Sequence, residues 1–296
     1  MENFNYDTIC LSGGGTKGMS FIGALDYLVS NDFIDLQKIN NWVGTSVGAV
    51  ISFMLTIGYT PEDIGNFFIN FNFEKLEPDI CIDELLINHG VDTGDKFMFI
   101  LTHFLKVKLN LDDITFKEHY ELTNKKLSVI STNFTKGTEA IFNYETVPDL
   151  SVLLALRMSI SVPLFFTPVL YNSEYYIDGA IINNFPICHC DPKKTLGLYI
   201  KNTSKNELTS IFSIITGCMS IICDTITTKD CSLNNYDVIE IINSNFGFMN
   251  LRLDLDKKYK IINLGQNSAR FYIDNLPYTI CKKVINELID EIIATH

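Results

Sequence analysis

The chain has 296 residues, 47% hydrophobic and 20% charged, with a formal net charge of −12. That length and composition suit one large folded domain or two small ones and exclude a chain disordered beyond its ends. The acidic balance excludes nucleic acid as a natural partner, because phosphate binding needs clustered Lys and Arg. It also disfavours electrostatic docking on an anionic membrane, so contact with lipid would have to be apolar.

In chain order, Thr8–Leu11 reads as a short strand running into Gly-rich sequence. Lys17–Val29 follows as a helix with an apolar face of Met19, Phe21, Ile22, Leu25, Leu28 and Val29. A second strand ends at Trp42–Gly44, and Val47–Ile57 is an almost entirely apolar helix that belongs in the core. Pro61–Phe71 starts with Thr60 as N-cap and proline in its first turn. Asp95–Leu105 is a further helix, and residues 72–124 show no clear strand and read as a cap beside the sheet. Lys126–Thr132 and Glu139–Tyr144 alternate as a strand pair about the Lys136–Gly137 turn. Val152–Met158 is helical and is stopped by Pro163 and Pro168. Glu174–Ile177, Thr195–Ile200 and Val238–Asn243 are strands; Leu208–Thr225 and Tyr278–Ala294 are helices. Strands alternating with helices predict an α/β fold with a partly parallel sheet.

The longest apolar runs, Val47–Ile57 and Ile211–Cys223, fall short of the ~20 residues of a membrane-spanning helix. Residues 1–8 have no basic leader pattern. Cys10, Cys81, Cys188, Cys190, Cys218, Cys223, Cys231 and Cys281 therefore read as free thiols, and a cytoplasmic location, peripheral at membranes at most, is expected. Cys188-His189-Cys190 lacks the second ligand pair that structural zinc requires, so no metal is expected.

Gly13-Gly14-Gly15-Thr16-Lys17-Gly18 lies between a strand and a helix, where exposed amides favour negative charge. It is no P-loop, because Met19 follows where Lys-Ser/Thr is needed. Gly13, Gly15 and Gly18 match the dinucleotide fingerprint, but the next strand ends in Gly44-Thr45-Ser46 rather than in the acidic residue that holds a ribose. An oxyanion hole and a plain structural turn remain as readings. Gly44-Thr45-Ser46-Val47-Gly48 matches the nucleophile elbow G-x-S-x-G at the required strand-to-helix turn. A serine there needs a base. His89, His103, His119, His189 and His296 lack a supporting context; Asp178-Gly179 follows the strand Tyr175-Tyr176-Ile177 and could bring a carboxylate to the hydroxyl. By itself Asp-Gly reads more readily as a hairpin turn. Phe67, Phe68, Phe71 and Phe73, like Phe97, Phe99 and Phe104, suit either a core face or an acyl pocket.

Taken together, Gly13–Gly18, Gly44–Gly48, Asp178-Gly179-Ala180 and the block Arg157–Pro163 followed by Phe166-Thr167-Pro168 resemble the patatin-like phospholipase family, over about residues 6–190. Met158 stands where that family usually has Ala, and Lys17 where it more often has Arg. The resemblance implies a three-layer α/β/α fold around a mostly parallel sheet. It is expected as a single domain over 1–296, with its motifs within about 6–200 and an extension over about 201–296. The resemblance further implies a metal-independent, cofactor-free lipid acyl hydrolase acting on phospholipid or another fatty acyl ester, with transient contact at a membrane surface. Ser46 would be nucleophile and Asp178 base; Gly13, Gly14, Gly15 and Thr16 would form the oxyanion hole, supported by Lys17, Gly18, Gly44, Gly48 and Gly179. A Ser-His-Asp esterase using His189, and a binding module without turnover, are the alternatives.

Overall fold

The computed structural model describes residues 6–77, 82–203, 211–229, 235–243 and 250–276. In chain order these form β1 (Thr8–Leu11), α1 (Met19–Ser30), β2 (Asn41–Thr45), α2 (Val47–Thr56), α3 (Pro61–Asn70), α4 (Ile82–Asn88), β3 (Gly90–Asp92), α5 (Asp95–Leu109) and α6 (Phe116–Thr123). Then come β4 (Lys126–Asn133), β5 (Thr138–Phe142), α7 (Val152–Ser159), β6 (Leu164–Phe166), β7 (Val169–Tyr171), β8 (Glu174–Asp178), α8 (Ala180–Asn183), β9 (Thr195–Asn202), α9 (Ile211–Lys229), β10 (Asp237–Asn243) and α10 (Leu255–Asp274).

The main sheet runs β10-β9-β1-β2-β4-β8-β7, with β5 also paired to β4. β10, β9, β1, β2 and β4 are parallel; β5, β7 and β8 are antiparallel additions. Strand alternation sorts side chains to two faces. Ile9, Leu11, Trp42, Leu196, Leu198, Ile200, Ile239 and Ile241 enter one core with α1, α2 and α10. Cys10, Val43 and Tyr199 face the other way, onto Phe185 and Ile187. The fold is thus a mostly parallel central sheet flanked by helices, as the strand-helix alternation predicts.

Local chemistry explains the boundaries. Thr60 and Asp63 form a capping box at the start of α3, and Thr115 and Glu118 form another at α6. Lys258 of α10 donates to the carbonyls of Ile69 and Phe71 at 2.9 and 2.6 Å, closing the far end of α3. Against α1, α10 crosses so closely that a methyl on Gly265 would sit 1.7 Å from the Ser20 carbonyl oxygen. One on Gly23 would sit 2.0 Å from that of Ile262, so both crossing points require glycine.

The sequence pattern gives α10 no helix. Its buried stripe, Lys258, Ile261, Gly265, Ala269 and Tyr272, holds a lysine and two small residues, so the apolar period is faint. The three-residue strands β3, β6 and β7 are too short to alternate visibly, and β3 lies in the stretch read as strand-free. The helix expected at Asp95–Leu105 continues to Leu109, and that expected at Leu208–Thr225 is described over Ile211–Lys229. Tyr278–Ala294 lies outside the described residues. Among the described residues, no helix is long and apolar enough to cross a membrane.

Candidate active site

Ser46 links the end of β2 to the start of α2 with φ 53° and ψ −125°. A non-glycine residue held there costs about 1–2 kcal/mol, so the surroundings must enforce it. The Ser46 N–H donates to Ser159 Oγ at 2.8 Å, and the Ser159 hydroxyl donates to the Ile130 carbonyl at 2.5 Å. The flanking glycines allow the approach. A methyl on Gly48 would lie 2.5 Å from the carbonyl oxygens of Leu11 and Ser12, and one on Gly44 2.5 Å from the Ala49 nitrogen. The turn projects the Ser46 hydroxyl, on a side chain only 4% exposed, onto Asp178: Oγ donates to Oδ2 at 2.8 Å.

Asp178 ends β8, opposite Ser131 of β4. Its N–H donates to Ser161 O at 2.9 Å, and its carbonyl accepts from Thr132 Oγ1 at 2.8 Å. The second carboxylate oxygen accepts the Ala180 N–H at 2.8 Å. Complete burial pushes the carboxyl up to about 7, against the opposing pull of the Ala180 N–H and the Ser46 hydroxyl. A carboxyl poised there can accept a hydroxyl proton at neutral pH and return it.

The Gly-rich loop lies alongside. Ser12 Oγ donates to Gly13 O at 3.0 Å and accepts the Ile200 N–H at 3.1 Å, which pins the loop to β9. Gly13 packs against Ser46 and Ala180, but its N–H donates to the Asn184 carbonyl at 2.9 Å. That engagement gives the Gly13 amide a backbone acceptor away from the cavity. The amides of Gly14, Gly15 and Thr16 have no backbone acceptor among the described residues. Gly15 and Thr16 line a cavity with Ser46, and Thr16 Oγ1 is buried without a hydrogen-bond partner among the described residues. Gly18 abuts Val47, and Gly179 abuts the Ile130 carbonyl. Lys17 is buried; burial lowers its ammonium to about 8, partly countered by the Asp224 carboxylate on α9.

The cavity is walled by Met19, Val50, Phe68, Phe73, Phe97 and Phe166 among other apolar side chains. Of the phenylalanine clusters, Phe68, Phe73 and Phe97 thus face this space, whereas Phe67 and Phe104 pack on the core and on each other, with ring centroids 4.8 Å apart. Arg157, buried, ties the walls together. It donates to the carbonyl of Thr93 at 2.8 and 3.0 Å, to that of Thr167 at 2.9 Å and to Ser161 Oγ at 2.5 Å.

No histidine hydrogen-bonds to Ser46 among the described residues. His189 Nε2 lies 2.9 Å from Glu139 Oε2, and hydrogen bonds with Cys188 and Glu139 raise it to about 10. His119 is buried against Thr56 Oγ1 at 2.8 Å, and burial lowers it to about 4. Among the described residues, no group of three His, Cys, Asp or Glu side chains converges as a metal site, Cys188-His189-Cys190 included.

The patatin-like phospholipase family model matches residues 9–189, the span that holds the loop, the elbow and Asp178. The chain belongs to this family. It is 40% identical over 188 residues to a probable lipid hydrolase of Invertebrate iridescent virus 6, a match spanning 62% of each chain. It is 30% identical over 203 residues to an uncharacterized protein of Acanthamoeba polyphaga mimivirus, covering 67% of each. Among solved structures, VipD from Legionella pneumophila superposes with a TM-score of 0.69 at 16% identity, covering 92% of this chain and 67% of that one, a likeness of fold.

Sequence reasoning left the roles of three supports of this patatin-like site unread. Ser159 carried a signal, since it sits in the Arg157–Pro163 block, though nothing in that block says that its hydroxyl holds the Ser46 amide. Asn184 and Asp224 carried none: the first acts through a backbone carbonyl, and the second lies beyond the matched span.

Proposed function

We propose that the protein is a lipid acyl hydrolase that cleaves carboxylic esters through Ser46 and Asp178. The observation that carries this reading is the 2.8 Å contact between Ser46 Oγ and the buried Asp178 carboxylate at an apolar cavity. Ser46 attacks the ester carbonyl carbon while Asp178 takes the hydroxyl proton. The developing oxyanion meets the amides of Gly14, Gly15 and Thr16, and one such donor is worth ~10²–10³ in rate. Asp178 then protonates the departing alcohol oxygen, leaving an acyl-enzyme. Water attacks that ester, Asp178 accepts its proton, and Ser46 leaves with it as the fatty acid is released. The Phe-rich wall suits a fatty acyl chain. Phospholipids and neutral glycerides both present such an ester, and the family favours the former.

A fluorophosphonate probe should label Ser46 in the native protein and leave Ser46→Ala unlabelled, and mass spectrometry of mixed phospholipids should show released fatty acid. An unlabelled Ser46, under conditions that label other serine esterases, would leave a binding module.

A further inference from the structure

Ser46 and Asp178 stand on different strands, yet one helix end holds both. Ser159 closes α7 and is fully buried. Its hydroxyl donates its only proton to the Ile130 carbonyl at 2.5 Å, and its oxygen accepts the Ser46 N–H at 2.8 Å. The proton is thus committed within the protein. The Ser159 carbonyl accepts the N–H of Gly179, next to Asp178, at 3.3 Å, and the Ser161 carbonyl accepts that of Asp178 at 2.9 Å. Both grips tie to one place on β4, where Ile130 stands opposite Thr45 and Ser131 opposite Asp178. Ile160 and Val162 line the cavity, whereas Ser159 is not among its lining residues.

The grip matters most at the Thr45–Ser46 peptide. Ser46 is held at φ 53°, a conformation that a serine does not keep unaided. Its carbonyl is taken by the N–H groups of Ala49 and Val50, at 2.9 and 3.2 Å, in the first turn of α2. Its own N–H, buried, has Ser159 Oγ as acceptor. Without that hydroxyl a buried donor is left unsatisfied, and the peptide turns to find another acceptor. Such a turn carries Ser46 Oγ off the carboxylate, and a misplacement of about 1 Å costs on the order of 10²-fold in rate.

Resting on the Ser46–Asp178 reading above, we infer that Ser159 is a positioning residue that sets the separation of the two catalytic groups. Its hydroxyl orients the peptide of the nucleophile, and its carbonyl, with that of Ser161, fixes the chain at the base. It acts through Ser46 and Asp178 rather than on substrate.

The test compares Ser159→Ala, which removes the hydroxyl, with the near-isosteric pair Ser159→Thr and Ser159→Val, of which only Thr keeps it. For each, kcat and KM for a water-soluble short-chain ester are measured from pH 5 to 9, with the second-order rate of fluorophosphonate labelling and a circular-dichroism melt. Ala and Val lower kcat and the labelling rate at least about thirtyfold and leave KM within about threefold, and Thr stands at least about tenfold above Val. The pH midpoint of kcat/KM rises in Ala, because the Ser46 hydroxyl no longer helps to hold the Asp178 carboxyl down. Damage to packing alone would lower the melting temperature without moving that midpoint. Wild-type kcat in Ala, an unmoved midpoint, or Thr no better than Val would overturn the inference. Should a β-branched variant fail to fold, the kcat and the midpoint of Ala decide. A wild type that neither turns over ester nor labels would strike the Ser46–Asp178 reading itself, and the inference with it.

Discussion

Asp178→Asn should stabilise the fold while abolishing its chemistry. The carboxyl lies near pH 7 when folded, against an ordinary value of 3.8, because burial penalises its charged form. Its folded pKa is raised, so its contribution to stability is fully present below 3.8 and is lost as pH rises through about 7. The full loss is about 4 kcal/mol, reached on a plateau above neutrality, and about 2–3 kcal/mol of it falls between pH 5 and pH 8. Asparagine keeps the shape: its amide oxygen can accept the Ala180 N–H and its NH₂ can meet Ser46 Oγ. Urea unfolding of both proteins at pH 5, 6, 7 and 8 measures the gap. A constant offset between them reflects the substitution itself; the widening with pH reflects the buried charge. A gap that does not widen, or that favours the wild type increasingly toward pH 8, would refute the claim that Asp178 carries an uncompensated negative charge.

The same ionisation governs rate: kcat/KM for a soluble ester should fall about tenfold per pH unit below about 7 and level off above it, and a flat profile from pH 5 to 9 would remove Asp178 as base. Ser46→Gly and Ser46→Ala should both lose at least about 10³-fold in turnover, but Gly should unfold about 1 kcal/mol later because it accepts φ 53° without strain; calorimetry giving the reverse order would contradict the strained elbow. Gly265→Ala should cost at least about 3 kcal/mol in urea titration, since its methyl would land on the Ser20 carbonyl. His189→Ala should leave soluble-ester turnover within about twofold, its ring being held by Glu139, and a large loss would restore the histidine alternative.

Much of the site is legible because its chemistry needs particular small or reactive residues at fixed spacings. Ser46 must stand between glycines, and Asp178 must end a strand, so both leave marks in the sequence. What the spacing cannot supply is the meeting of β2 with β8, which β4 brings about by pairing with both. Gly13 shows what spacing leaves out. As a sequence it is one more glycine in an amide-rich loop, yet the Asn184 carbonyl claims its N–H, and backbone acceptors have no signature. Likewise α10 is held by Gly265 and Ala269, whose contribution is the absence of bulk, and a search for apolar periodicity overlooks it.

The electrostatic attraction between Lys17 and Asp224 has a consequence for divergence within the family. Lys17 belongs to the shared motif, but its counter-charge stands on α9, outside the matched span of 9–189. Tyr199 also reaches that carboxylate, its hydroxyl donating at 3.3 Å, so the tail and β9 together set the electrical environment behind the loop. Relatives can therefore retune the charge behind that loop by replacing residues on a helix that no signature constrains, leaving every recognisable motif intact.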